Sequence, residues 1–318
     1  MTVVATGSVA FDYILTYKGR FSDHIIADKA HVLNLSFLVD SLQRRKGGVA
    51  LNYAYNLRLL GQPAAVLATV GADGVEHRAW LEALGVDCRG LRILADEITA
   101  TGFTTTDVDD NQLTGYYGGA MAKAPMLGLD DTVSDPAAVI VGPNEPDAMR
   151  RLAREGHERG VRVVYDPAFQ LTYLTADDIA RGADGAWILI GNDYEIELIA
   201  RATGRDEAGL ADWAEMVVST FGRKGSRIAS KQGVHEIPAA PAHEEADPTG
   251  AGDAYRAGLV TGLLRGLDPS AAGRVAALAA TYAVEHVGTV EHSYTPEEFT
   301  ARYRDAFAED LPGSFWRR

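Results

Sequence analysis

Several things are scarce in this sequence. Its 318 residues include one cysteine, Cys88, which excludes an internal disulfide. A lone thiol fits a small buried role and a reducing, cytoplasmic setting better than catalysis. Positive charge is also short: 30 Lys and Arg against 44 Asp and Glu leave a formal charge of −14. A nucleic-acid-binding face needs clustered basic side chains, so that class of partner is not expected. No apolar run approaches the length of a bilayer-spanning helix, and no membrane association is expected. Met1 to Ala10 lacks a basic stretch and Asp12 cuts its apolar run short, so no secretory signal is expected and the sequon Asn34-Leu35-Ser36 carries no weight. The eight histidines never recur at His-x-x-x-His spacing, which argues against a structural zinc site. Gly-Lys-Ser and Gly-Lys-Thr are absent, so no Walker loop is present.

What is present is a chain with 47% hydrophobic and 23% charged residues, long enough for one large domain with an elaboration. Its organising stretch is Asp247-Pro248-Thr249-Gly250-Ala251-Gly252-Asp253, followed by the helix formers Ala254-Tyr255-Arg256-Ala257-Gly258-Leu259. A glycine-bracketed turn opening a helix presents unpaired N–H groups and the positive end of a helix dipole, a site for phosphate or a developing oxyanion. Asp253 would stand among those donors. Anion binding alone gains nothing from a carboxylate there, whereas phosphoryl transfer to an alcohol needs a base beside the transferring group. The alternative is a first-turn acid that only supports the dipole. Tyr255 stands where the third glycine of a dinucleotide fingerprint would fall, which weakens a dehydrogenase reading.

Elsewhere the chain reads as strands alternating with helices, from Val3–Val9 through Ala65–Val70, Val139–Gly142, Val161–Tyr165 and Trp187–Ile190. That pattern predicts an α/β fold with a mostly parallel sheet flanked by helices, binding ligands at the strands' carboxyl ends. Residues 14–45 and 99–121 break the alternation, the latter as Thr- and aromatic-rich runs around the turn Asp109-Asp110-Asn111. They are expected to form a small β lid on a large domain of residues 1–13, 46–98 and 122–318.

The motif Asp-Pro-Thr-Gly-Ala-Gly-Asp resembles the second signature of the ribokinase, or PfkB, family of carbohydrate and nucleoside kinases. Lys46-Gly47-Gly48-Val49-Ala50-Leu51-Asn52 is similar to the first signature, Asn192-Asp193-Tyr194-Glu195 to the family's Asn-x-x-Glu, and Thr220 to Gly225 to its Thr-x-Gly-x-x-Gly element. The resemblance covers essentially the whole chain. It implies a ribokinase-like fold, Asp253 as catalytic base, and the amides of Gly250, Ala251 and Gly252 as anion hole. It also implies ATP contacts at Asn192, Glu195, Thr220, Gly222, Gly225, Ala283 and His286. Magnesium would be held mainly by ATP phosphates and water, with Glu195 acting through water.

Thr6-Gly7-Ser8 with Asp12, Gly19-Arg20-Phe21-Ser22, Leu35 to Asp40, Tyr117-x-Gly119-Ala120-Met121 and Arg256-Ala257-Gly258 resemble bacterial adenosine kinases of this family. Adenosine phosphorylation to AMP, a step of purine salvage, is therefore the leading expectation. Ser8, Asp12, Ser36, Gly47, Gly48, Asn52 and Gln170 would contact the nucleoside. Phe37, Phe103, Tyr116 and Tyr117 offer flat faces to a base, with Phe103 and Tyr117 carried as pocket residues. Tyr53 and Tyr255 depart from the usual residues of relatives. A sugar kinase, another nucleoside kinase and a non-catalytic nucleoside-binding protein remain the alternatives, and a homodimer through the lid is a further expectation.

Overall fold

A computed structural model describes residues 1–24 and 36–316. Asn34 and Leu35 of the sequon and Leu35 of the Leu35–Asp40 string lie outside the described residues. The first strands are β1 (Val3–Thr6), β2 (Ala10–Thr16) and β3 (Ser41–Gly47), followed by α1 (Val49–Leu59), β4 (Ala64–Gly71), α2 (Val75–Ala83) and β5 (Asp87–Leu94). The hairpin β6 (Ala100–Thr106) and β7 (Gln112–Tyr117) comes next. Then follow β8 (Ala138–Val141), α3 (Pro146–Glu158), β9 (Arg162–Tyr165), α4 (Ala176–Ala183), β10 (Ile188–Asn192), α5 (Asp193–Thr203), α6 (Glu207–Leu210) and β11 (Met216–Thr220). The chain closes with β12 (Ser226–Ser230), β13 (Gly233–Ile237), α7 (Ala251–Leu264), α8 (Pro269–Val284) and α9 (Pro296–Phe307).

Nine strands make the large sheet in the order β13-β12-β11-β10-β9-β8-β1-β4-β5, parallel from β5 to β11 and antiparallel in the last two. Both faces are covered, so its central strands are buried at every position, as in Val3–Thr6 and Ala138–Val141. One face packs on residues of α1, α2, α7 and α8, and the other on α3, α4 and α5. The α7–α8 contact is close because Gly258 lies against Ala276: a Cβ on that glycine would stand 2.6 Å from Ala276 Cα. Asp268 caps α8 by accepting from Ser270 N at 2.9 Å, as its position before Pro269 predicts. That helix ends at Val284. Cys88 is buried and reduced, its thiol pushed up to about 11, first by burial.

Among the described residues, four strands form a separate sheet in the order β3-β2-β6-β7. The chain passes between the two sheets at Gly7–Val9, at Gly48, between Leu94 and Ala100, and after Tyr117. One of these passages, Gly48, lies in the stretch Lys46–Asn52 that resembles the family's first signature, and Gly7–Val9 follows directly on the carboxyl end of β1.

Candidate active site

Gly250, at the start of α7, has a φ of 83°, a left-handed conformation, and a Cβ there would also stand 3.0 Å from Thr289 Cα. No side chain caps the helix, and Ala251 N–H makes only a 3.3 Å turn bond to Pro248 O. The first amides of α7 therefore keep donor capacity and add to the positive end of its dipole. Asp253 lies in this first turn, half-buried, and its Oδ2 accepts from Asn52 Nδ2 at 2.7 Å. Burial pushes the Asp253 carboxyl up to about 7; Asn52 and Arg256 pull it down, and Asp166 and Glu195 push it up. A carboxyl poised near neutrality can accept a hydroxyl proton and release it again.

Asn52 is buried on α1 with its Oδ1 unpartnered, an acceptor left for a ligand hydroxyl. The helix starts where it does because Gly48, at φ 92°, crowds the backbone of Ser8 and Ala10; a Cβ there would stand 2.6 Å from Ser8 O. Ser8 serves that helix start, its Oγ accepting from Val49 N at 3.2 Å and its carbonyl from Ala50 N at 3.0 Å. Asp12 projects from β2 between two glycines. A Cβ on Gly47 would fall on Asp12 Oδ2, and one on Gly102 would stand 2.9 Å from Oδ1. Burial raises the Asp12 pKa.

The pleat corrects the aromatic reading. Gly102 pairs with both Asp12 and Tyr116, so Tyr116 shares the Asp12 face, whereas Phe103 and Tyr117 point to the opposite one. Phe103 stacks there on Tyr13 at 5.2 Å. Tyr116 instead lies 6.4 Å, ring to ring, from Phe169, across from the large sheet. Phe37 packs on Tyr17 at 4.6 Å, beside an exposed Ser36. Gln170, next to Phe169 and just after Ala168 at φ 41°, is buried with Oε1 unpartnered.

Asn192 and Glu195 form a capping box on α5, with Glu195 N–H donating to Asn192 Oδ1 and Asn192 N–H to Glu195 Oε2, both at 2.8 Å. Thr220 is the register partner of Asn192 at the adjoining strand end, and Gly222 is exposed in the turn beyond it. Gly225 is buried, and a Cβ there would fall on Ile237 O, so its part is to let the turn close. Ala283 is fully buried among Tyr282, Leu278 and Ala279 and offers no surface to a nucleotide, whereas His286 at the same helix end is half-buried. Among the described residues no group of three or more His, Cys, Asp or Glu could hold a metal ion, and no helix is long and apolar enough to cross a membrane.

A buried cluster that the sequence reading did not assemble sits behind Asp253. Arg256 pairs with Asp166 through Nη2–Oδ1 at 2.7 Å and through Nε to Oδ2, and Tyr53 donates to Asp166 Oδ2. Its sequence signals were an arginine inside an apolar helix, an Asp-Pro just after β9, and the unusual Tyr53.

The chain matches the family described as pfkB family carbohydrate kinase over residues 2–296. It is 34% identical to a nucleoside kinase of Methanothermobacter thermautotrophicus, over 98% of this chain and 98% of that one. Among solved structures, a Burkholderia thailandensis nucleoside kinase in complex with inosine is 35% identical, with a TM-score of 0.88 over 98% of this chain and 99% of that one. The ADP-inosine complex of that kinase is 36% identical, with a TM-score of 0.87 over 100% and 99% of the two chains. The α7 motif, the two sheets and this likeness lead to one statement: the chain belongs to the PfkB family and is a phosphotransferase with a hydroxyl group as acceptor.

Proposed function

We propose that this protein transfers the γ-phosphoryl group of ATP to the 5′-hydroxyl of a purine nucleoside, with adenosine its preferred acceptor and AMP the product. The observation that carries this is the Asp253–Asn52 pair at the start of α7: a base beside helix-start amides that no side chain caps. Asp253 takes the hydroxyl proton as the acceptor oxygen bonds to phosphorus. The bond from phosphorus to the bridging oxygen breaks, and ADP leaves with that electron pair. The amides of Gly250, Ala251 and Gly252 stabilise charge on the transferring group. Asp12, Gly47, Gly48 and Asn52 hold the ribose hydroxyls.

Asn192, Glu195, Thr220, Gly222 and His286 line the ATP side. Magnesium, which neutralises phosphate charge when bound, fits a site without a protein ligand cluster if ATP phosphates and water hold it, with Glu195 reached through water. The small sheet acts as a lid, of residues 14–45 and 99–121, that excludes water from the transfer. Its outer face carries Phe103, Tyr117, Leu113 and Leu42, each about half-exposed or more, and a second copy of the chain covers it.

The base lies against Tyr116, whose ring sits 6.4 Å from that of Phe169. The unpartnered Gln170 Oε1 is an acceptor that the exocyclic amine of adenosine can satisfy. The inosine complexes of the Burkholderia thailandensis kinase favour a second reading, a kinase of several purine nucleosides. The test is product formation from ATP and magnesium with adenosine, inosine, guanosine, cytidine, ribose and fructose, alongside Asp253→Asn. AMP as the main product, lost in the variant, is expected. A sugar phosphate as the main product overturns the nucleoside reading, and comparable rates with inosine overturn the adenosine preference.

A further inference from the structure

We propose that Arg256, anchored by Asp166 and Tyr53, is a positioning residue for phosphoryl transfer, fixing both the backbone and the charge around Asp253 from behind the start of α7. The inference rests on the kinase reading above.

Arg256 stands three residues after Asp253, on the same side of the helix. Its side chain is 7% exposed and that of Asp166 is 2% exposed. The guanidinium grips both carboxylate oxygens of Asp166, and Tyr53 on α1 supplies that carboxylate with a further donor. Arg256 Nη1 also donates to Gly252 O at 3.1 Å, and Nη2 lies 4.0 Å from Glu195 Oε2 on α5. One side chain therefore joins α7, the end of β9 and the cap of α5, with α1 tied in through Tyr53.

Stability alone does not account for this arrangement. Desolvating two charges costs about as much as their attraction returns, and apolar replacements of buried pairs are often neutral or stabilising. The contact with Gly252 gives the pair a place in the site. The Gly252 carbonyl and the Asp253 N–H belong to one planar peptide, so holding the oxygen aims the amide. A Cβ on Gly252 would stand 2.9 Å from Arg256 Nη1, so the second glycine of Gly-Ala-Gly-Asp makes room for the guanidinium.

Charge gives a second role. Asp253 is faced by Asp166 from the end of β9, Glu195 from α5, Tyr53 and Asn52 from α1, and Arg256 from its own helix, the one cation named among three carboxylates. Burial disfavours the charge on Arg256, but Asp166 beside it reverses the balance and holds the guanidinium protonated. Arg256 thus pulls the Asp253 carboxyl down against the upward push of burial, Asp166 and Glu195, which favours the form that takes the acceptor's proton.

The experiment compares wild type, Arg256→Lys, Arg256→Gln and the double variant Arg256→Met/Asp166→Leu, which removes both buried charges. Measured are kcat and KM against pH, Tm, and the 13C titration of the Asp253 carboxyl, with Asp253→Asn identifying its signal. For the double variant we expect Tm close to wild type, kcat lower by ~100-fold and acceptor KM within ~3-fold. Its acid limb moves little, because the lost downward pull of Arg256 is offset by the lost upward push of Asp166; Arg256→Gln, which leaves Asp166 in place, moves the acid limb to higher pH. Arg256→Lys keeps the charge but not the fork, so kcat falls ~10-fold while the acid limb stays near wild type. A well-folded double variant with wild-type kcat overturns the proposal, as does a loss of activity that only tracks Tm. If the double variant does not fold, Arg256→Lys decides, and wild-type kcat in it refutes positioning. If wild type phosphorylates no acceptor, the function reading fails by itself. The Asp253 titration still decides the inference: an upward shift in Arg256→Gln, which keeps Asp166, supports it, and no shift overturns it.

Discussion

Replacing Asp253 with asparagine should abolish transfer yet stabilise the protein at alkaline pH. The folded-state carboxyl is raised from 3.8 to about 7, chiefly by burial. That interval corresponds to about 4 kcal/mol of cost for the charged form relative to the unfolded chain. The group is only half-buried, so water screens part of this, and Asn52 exchanges a charged acceptor for a neutral one, a loss of about 1 kcal/mol. A net gain of about 1–2 kcal/mol remains, or about 2–3 °C in Tm for a chain of this size. The direction with pH follows from the raised value. Between 3.8 and about 7 the folded state holds the proton more tightly than the unfolded chain, so wild-type stability falls as pH rises through that window. The advantage of Asp253→Asn is therefore absent near pH 4 and complete by pH 8. Thermal scans of both proteins at pH 5 and pH 8, at one scan rate, measure it. A Tm difference that is the same at both pH values, or a variant less stable at pH 8, refutes the argument that burial of the Asp253 charge sets its pKa.

Gly250→Ala places a Cβ 3.0 Å from Thr289 Cα on a backbone at φ 83°, so we expect a loss of about 1–3 kcal/mol and a lower kcat, read from Tm and initial rates. Tyr116→Ala should raise the KM for a nucleoside about tenfold while changing ribose little, whereas Phe103→Ala, on the opposite face, leaves nucleoside KM unchanged. Asn192→Ala removes the α5 cap at 2.8 Å and should cost about 1 kcal/mol in a denaturant titration. Sedimentation of the wild type should give a dimer and that of Leu113→Lys a monomer; monomer alone for both removes the lid-to-lid contact.

Most helices and strands were legible because their signals are local. The apolar runs at Val3 and Val139, the cap Asp268-Pro269 and the turn Asp109-Asp110-Asn111 each act within a few residues. Strand β5 went unread because Asp87-Cys88-Arg89-Gly90-Leu91-Arg92 carries three charges, and its pairing with β4 outweighs that composition. Helices α4 and α9 were missed as short amphipathic stretches, although Thr175 with Asp178 and Thr295 with Glu298 form capping boxes visible in the sequence.

The sequence by itself determined the motif at the start of α7, the paired glycines before Asn52 and the succession of strands and helices, since each depends on neighbouring residues and backbone sterics. Tertiary structure alone decided which aromatic faces Asp12, because shifting by one residue along a strand reverses the side chain, and Tyr116 and Tyr117 are equivalent until β6 sets the register. It also decided the surroundings of Asp253. Arg256 and Asp166 are 90 residues apart, and Asp166 and Tyr53 are 113 apart. Nothing local draws them together; the parallel sheet delivers its strand ends and helix starts to one edge, and burial there turns separate side chains into one charge network.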